Sequence, residues 1–167
     1  GVESGQAYIL VDGEGRNVIN TYFGANQHLK PEDLEENERL KLIREAKVIV
    51  IMDPPLETAE KLAKLSRKYE PKTVIWDPGV RVGEGLEVLK PTLRLVDYFV
   101  LNRLEFELLL GTSNPAEVGK CLSKVNPDVK VVMKMGSKGS IMSCNHGEKT
   151  LKVEAFPLEK FGMRVVN

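Results

Sequence analysis

Hydrophobic residues recur with two different periods along this chain, and the switches between them lay out its elements. Residues 6–12 (Gln-Ala-Tyr-Ile-Leu-Val-Asp) and 17–23 (Asn-Val-Ile-Asn-Thr-Tyr-Phe) are rich in β-branched and aromatic residues. Only Gly13-Glu14-Gly15-Arg16 separates them, a glycine-bearing connection of hairpin type, so the chain is expected to open with two paired strands. Pro31 with Glu32 and Asp33 behind it, and Arg44 and Lys47 further on, match the charge preferences of a helix over about 31–46. Val48 to Met52 is a short aliphatic run of buried-strand type. Ala59, Leu62, Ala63, Ser66 and Tyr69 then keep helical spacing across 56–69.

The alternation continues. Thr73 to Trp76 reads as a strand, Leu86 to Leu89 as a weak helix, Tyr98 to Leu101 as a strand, and Glu105 to Leu110 as a short helix stopped by Gly111. Asn114-Pro115-Ala116-Glu117 combines a cap residue, proline at the first helical position and a capping-box acid, and predicts a helix that ends before Pro127. Val129 to Met133 is a further strand, and 140–143 with 150–153 form a hairpin around Asn145-His146-Gly147. Strands alternating with helices imply an α/β fold: a mostly parallel sheet with helices on both faces, three layers in all, preceded by a small two-stranded β lid at 6–23.

Composition narrows the partners. The 167 residues carry 24 Lys plus Arg against 24 Asp plus Glu, with no long basic cluster, so neither a nucleic acid backbone nor an anionic membrane surface is expected to bind. No aliphatic run approaches the roughly 20 residues of a membrane span. Cys121 and Cys144 lack metal or redox spacing, and only His28 and His146 could join them, so zinc is not expected. Both histidines are placed in loops without a catalytic role, and Cys121 in the core. No basic-then-apolar leader opens the chain, which points to a reducing cytoplasmic setting. The chain begins without Met and ends on Arg164-Val165-Val166-Asn167 as though a strand were in progress, so it is expected to be a piece of a longer protein.

Ligands of open parallel sheets bind at the carboxyl ends of the strands. Four strands end there on polar residues: Asp53, Asp77, Asn102, and Lys134 with Gly136. Any one of them alone reads equally well as a helix cap or loop residue. Four in register argue for a site. Gly136-Ser137-Lys138-Gly139-Ser140 has neither the spacing nor the following helix of a Walker loop, and is either an anion-cradling nest or an ordinary glycine turn. Gly13-Glu14-Gly15 and Gly83-Glu84-Gly85 lack a dinucleotide fingerprint, which disfavours NAD. Glu105, three residues after Asn102, either holds waters of a Mg²⁺ ion or is a dipole-favoured acid of a first helical turn.

The run Asp97-Tyr98-Phe99-Val100-Leu101-Asn102-Arg103-Leu104-Glu105 resembles the signature of the ribokinase family, the PfkB-type carbohydrate kinases. Leu108-Leu109-Leu110-Gly111, Gly24-Ala25-Asn26, Asp77-Pro78-Gly79-Val80-Arg81 and Val132 to Gly139 match in order and spacing over essentially the whole chain. The resemblance implies a Rossmann-like three-layer α/β/α kinase using ATP and Mg²⁺ on a sugar or nucleoside. It makes residues 1–167 a central piece of that domain, lacking an N-terminal sugar-binding segment and a C-terminal Gly-Ala-Gly-Asp segment. By position it makes Asn102, Glu105, Lys134, Gly136 and Gly139 ATP-binding, Glu105 also the Mg²⁺ residue through water, and Asp53, Asp77 and Arg81 substrate-binding. The base and anion hole are expected beyond Asn167, so the piece alone is expected to be inactive. Lys134 replaces a Thr common in the family, Gly79 replaces an Asn, and Asn167 stands where many members have an Asp beside a monovalent cation, which leaves potassium activation open. A lid with apolar groups on both faces points to a homodimer. The alternative is a non-catalytic α/β nucleotide-binding or regulatory module.

Overall fold

The structure is a computed structural model that describes residues 1–14, 16–69 and 72–162, with Glu159 described by its backbone alone. The apolar runs become the strands of one six-stranded sheet, in the order β3 (Val48–Met52), β4 (Thr73–Asp77), β5 (Tyr98–Asn102), β6 (Lys130–Lys134), β7 (Ser140–Cys144), β8 (Lys149–Val153). The first four are parallel, and β7 and β8 add an antiparallel hairpin at one edge. Ahead of it, β1 (Gln6–Val11) and β2 (Asn17–Tyr22) pair antiparallel as a separate ribbon. The α/β class, the mostly parallel sheet and the two-stranded lid are therefore as the sequence predicts.

Because β3 to β6 follow one another in space as in sequence, right-handed crossovers place their connecting helices on one face. Along β3 the burial alternates strictly, with Ile49 and Ile51 buried and Val48, Val50 and Met52 exposed. The covered face continues through Val74, Trp76, Phe99, Leu101, Val131 and Met133, all buried. Trp76 lies 5.4 Å from Phe99 with the rings tilted at 57°, and Phe99 meets Phe106 at 6.1 Å and 68°. Such tilted and edge contacts add about 0.5–1.5 kcal/mol per pair beyond their buried area. On the opposite face the described residues leave Val50 and Met52 54% and 68% exposed.

The helices are α1 (Asn37–Glu45), α2 (Leu56–Lys68), α3 (Leu86–Leu93), α4 (Arg103–Leu110) and α5 (Pro115–Ser123). Two expectations fail, the continuous helix over 31–46 and the core placement of Cys121. The helix predicted over 31–46 is a 3₁₀ turn at Pro31–Glu35, an extended Glu36, and then α1. A continuous helix at 100° per residue would set Leu34 and Ile43 on opposite faces, whereas the break lets both reach the core. The weak helix at 86–89 runs on to Leu93 through Pro91, and α4 begins two residues earlier than expected, directly after Asn102. Cys121 is half-buried on α5 rather than in the core. No helix among the described residues is long and apolar enough to cross a membrane.

Candidate active site

At the carboxyl edge of the sheet the predicted residues meet in three pairs. Asn102 and Lys134 are register partners on β5 and β6, and Met52 and Asp77 on β3 and β4. The Lys134 ammonium reaches across β5 to Asp77 Oδ2 at 2.6 Å, and Asp77 Oδ1 accepts the Gly79 amide at 3.2 Å. Asp77, assigned to the acceptor, is thus tied directly to Lys134, assigned to the nucleotide.

The second pair is Asn102 with Glu105. Asn102 Oδ1 accepts the Glu105 amide at 2.8 Å, and Glu105 Oε2 accepts the Asn102 amide at 2.6 Å. This reciprocal capping box fixes the start of α4 and, with it, the direction of both side chains.

The third pair is unfinished. Asp53 Oδ1 and Arg81 Nε lie 3.9 Å apart, too far for a hydrogen bond, and both atoms are buried without a hydrogen-bonding partner. Burial raises the Asp53 carboxyl above its ordinary value; Arg81 and the Val80 amide offset this in part, and the carboxylates of Asp77 and Glu105 add to it. Asp53 adopts the left-handed region at φ 54°, uncommon for a residue with a side chain. Gly79 faces it at φ 54°, where an added Cβ would stand 2.8 Å from Asp53 Oδ2. That contact explains why glycine occupies this position.

Gly136 and Gly139 have different reasons for being glycine. Both have positive φ, but a Cβ on Gly139 would lie 2.0 Å from the Val153 carbonyl of β8, whereas one on Gly136 would meet open space. Gly139 is therefore explained by backbone packing as well as its φ, and Gly136 by its left-handed φ of 57° alone.

Two cavities of about 490 Å³ flank these pairs. One lies between the end of the ribbon and the end of β3, and includes Thr21, Phe23, Asn26, Met52 and Asp53. The other is lined by Asn102, Arg103, Leu104, Met135 and Lys138. Phe23, with the Arg81 guanidinium 5.9 Å from its ring centre, was foreshadowed only as the last residue of a strand. Arg103, Met135 and Lys138 carried no separate signal beyond lying inside the two matched runs. Asn167 lies outside the described residues, and Asp97, the first residue of the signature, is at the far end of β5, where it accepts the Val74 amide at 2.7 Å and pairs with Arg67.

The crest of the sheet thus carries acids, an amide and cations, with the ribbon beside the end of β3. Residues 1–162 match the pfkB family of carbohydrate kinases, and the chain belongs to that family. It is 31% identical to the ribokinase of Staphylococcus aureus over 109 residues, covering 65% of this chain and 34% of that protein. Among solved structures, Giardia lamblia ribokinase superposes with a TM-score of 0.75 at 22% identity, over 93% of this chain and 49% of that one. Arabidopsis thaliana ribokinase, complexed with ribose and ATP, gives 0.71 at 25% identity, over 92% and 49%. The chain spans about half the length of these solved relatives.

Proposed function

We propose that the chain is the central part of an ATP-dependent sugar or nucleoside kinase of the cytoplasm, transferring the γ-phosphoryl group to an acceptor hydroxyl. The observation that carries this reading is the crest itself: three residue pairs, converging between two cavities, on a fold of that family.

In such a transfer the acceptor oxygen forms a bond to the γ-phosphorus as the bond to the β-bridging oxygen breaks, and the hydroxyl proton leaves to a base. Most of the catalysis is positioning and charge stabilisation. Asp53 is suited to the acceptor: its buried Oδ1 lacks a donor, and a sugar hydroxyl between it and Arg81 Nε would supply one. Asp77 holds Lys134 and the Gly79 turn in place rather than offering free oxygens to the acceptor. Lys134 and Asn102, side by side at the ends of β6 and β5, would face the phosphates of the nucleotide.

Among the described residues no group of three or more acids, histidines or cysteines could hold a metal by itself. Mg²⁺ in phosphoryl transfer takes one or two carboxylates and completes its shell with phosphate and water, so a single well-oriented Glu105 fits it. When bound, Mg²⁺ would neutralise charge on the phosphates. The base is proposed to lie beyond Asn167, leaving this part inactive alone. Every residue of the ribbon is exposed. Tyr8, Leu10, Val18 and Tyr22 share one face, and Ile9, Val11 and Ile19 the other. We propose that one face closes over the acceptor and the other pairs with a second subunit, which light scattering of the whole protein tests.

The function itself is tested by incubating the whole protein with Mg·ATP and a panel of pentoses, hexoses and nucleosides, then detecting phosphorylated acceptor by mass. A phosphorylated sugar or nucleoside with matching ADP supports the reading. Stoichiometric ATP binding without any acceptor product overturns it in favour of a non-catalytic nucleotide-binding module.

A further inference from the structure

One contact at the crest joins two strands that are not neighbours. Asp77 ends β4 and Lys134 ends β6, with β5 and its last residue Asn102 between them. Two inter-strand spacings come to roughly 10 Å. Only an extended lysine spans them to bring its ammonium 2.6 Å from Asp77 Oδ2. The Lys134 side chain is 45% exposed and that of Asp77 16%, so the cationic end of the bridge stands in water and the anionic end is mostly enclosed. An ion pair that stretches a long, half-solvated side chain contributes little stability and gives way to a competitor of higher charge.

The two ends of the bridge belong to different halves of the crest. Asp77 adjoins the acceptor side: its carbonyl accepts the Asp53 amide at 3.3 Å, and its Oδ1 accepts the Gly79 amide at 3.2 Å. Gly79 in turn lies so close to the Asp53 carboxylate that a Cβ there would stand 2.8 Å from Oδ2. Lys134 stands beside Asn102 at the other half. With Lys134 on Asp77, both oxygens of that carboxylate are in use. Once a phosphate draws Lys134 away, Oδ2 is an enclosed carboxylate oxygen without a donor, an unfavourable state until a hydroxyl supplies one. Asp53 Oδ1 is already in that condition. Two such oxygens at adjoining strand ends suit a polyol, which offers more than one hydroxyl.

We infer that Lys134 and Asp77 form an exchangeable bridge that couples the two substrates: the triphosphate takes Lys134, and the Asp77 oxygen it releases takes a hydroxyl of the acceptor. Asp77 is thereby a positioning residue for Lys134 before the exchange and a ligand of the acceptor after it. By linkage, the acceptor tightens the nucleotide by the same factor as the nucleotide tightens the acceptor. The inference rests on the phosphotransfer reading for the identity of the two ligands, while the competition between Asp77 and a triphosphate for Lys134 is tested by itself.

The test is a double-mutant cycle on the whole protein, read by calorimetric titration with Mg·ATP. Asp77→Asn keeps an oxygen for the Gly79 amide and removes the competitor for Lys134, so it should tighten Mg·ATP about two- to fivefold, the range of a partly exposed ion pair. Lys134→Gln should weaken Mg·ATP, and in that background Asp77→Asn should have no further effect. A bridge that merely holds Lys134 ready for phosphate predicts the opposite sign, weaker Mg·ATP in Asp77→Asn. In turnover, Asp77→Asn should lower the KM for Mg·ATP and raise the KM for the acceptor, a split that general loosening of the fold would not produce. Lys134→Gln leaves Asp77 free from the outset, so acceptor affinity should no longer sharpen when a nonhydrolysable ATP analogue is added; this arm decides the matter if Asp77→Asn does not fold. Unchanged or weakened Mg·ATP binding in Asp77→Asn, or equal tightening with and without Lys134, overturns the inference and leaves the kinase reading standing. Tightened Mg·ATP binding in a protein that phosphorylates no acceptor supports the exchange at Lys134 and overturns the kinase reading. A native protein that binds no Mg·ATP overturns both.

Discussion

The two faces of the six-stranded sheet are built from the same four parallel strands and have opposite fates. On one, Val74, Trp76, Phe99 and Leu101 are completely buried under the helices. On the other, Val48, Val50 and Met52 of the edge strand β3 stand in the open, while Ile75, Val100 and Val132 of the inner strands are half-buried. A parallel sheet is ordinarily covered on both faces. The difference teaches that burial here was assigned by the order of the strands and the hand of the crossovers, not by the hydrophobicity of the side chains. It also places the polar crest where an open face, a ribbon with no covered side and two clefts come together.

The largest expected break in this contrast is Trp76→Ala, which should cost about 3–5 kcal/mol in denaturant unfolding because it empties a fully buried position beside Phe99. Val50→Asp is its counterpart across the sheet. In the isolated 167 residues it should shift stability by no more than about 0.5 kcal/mol, as exposed substitutions do. In the whole protein the same change should cost several-fold more if the missing portion covers this face, and an equal, small cost in both would show that the face stays open.

Smaller, and opposite in sign, is the effect of Asp53→Asn. A carboxyl raised by burial contributes stability that is fully present below its ordinary value of 3.8 and is lost as pH rises through its folded-state value. Replacing it with a neutral amide should therefore raise the thermal midpoint at neutral pH, and the gain should vanish as the pH falls toward that range. Asparagine also tolerates the left-handed φ of 54° at this position. A more stable but less active protein would mark Asp53 as a residue kept for its chemistry. A lower midpoint at neutral pH would mean that its contact with Arg81 outweighs its burial.

Much of this was legible beforehand because the signals are local. Val48 to Met52 could hardly be other than a strand between two helical stretches, and Asn114-Pro115 carries the cap residue and first-position proline of α5 in one run. What could not be seen depended on distant partners. The break at Glu36 is needed only because Leu34 and Ile43 share one core. The Lys134–Asp77 bridge requires knowing that β5 lies between β4 and β6. The left-handed Asp53 is intelligible only beside Gly79.

Glu105 carries the central claim, since it is both the cap of a helix and the proposed metal residue. Glu105→Gln preserves a carbonyl oxygen for the Asn102 amide and removes only the charge, so the fold should be nearly unaffected. The decisive measurement is the Mg²⁺ dependence of acceptor phosphorylation by the whole protein with and without this substitution. The account predicts that the variant needs several-fold more Mg²⁺ for half-maximal rate at an unchanged thermal midpoint. Superimposable Mg²⁺ curves would contradict it and leave Asn102 and Glu105 as a helix cap alone.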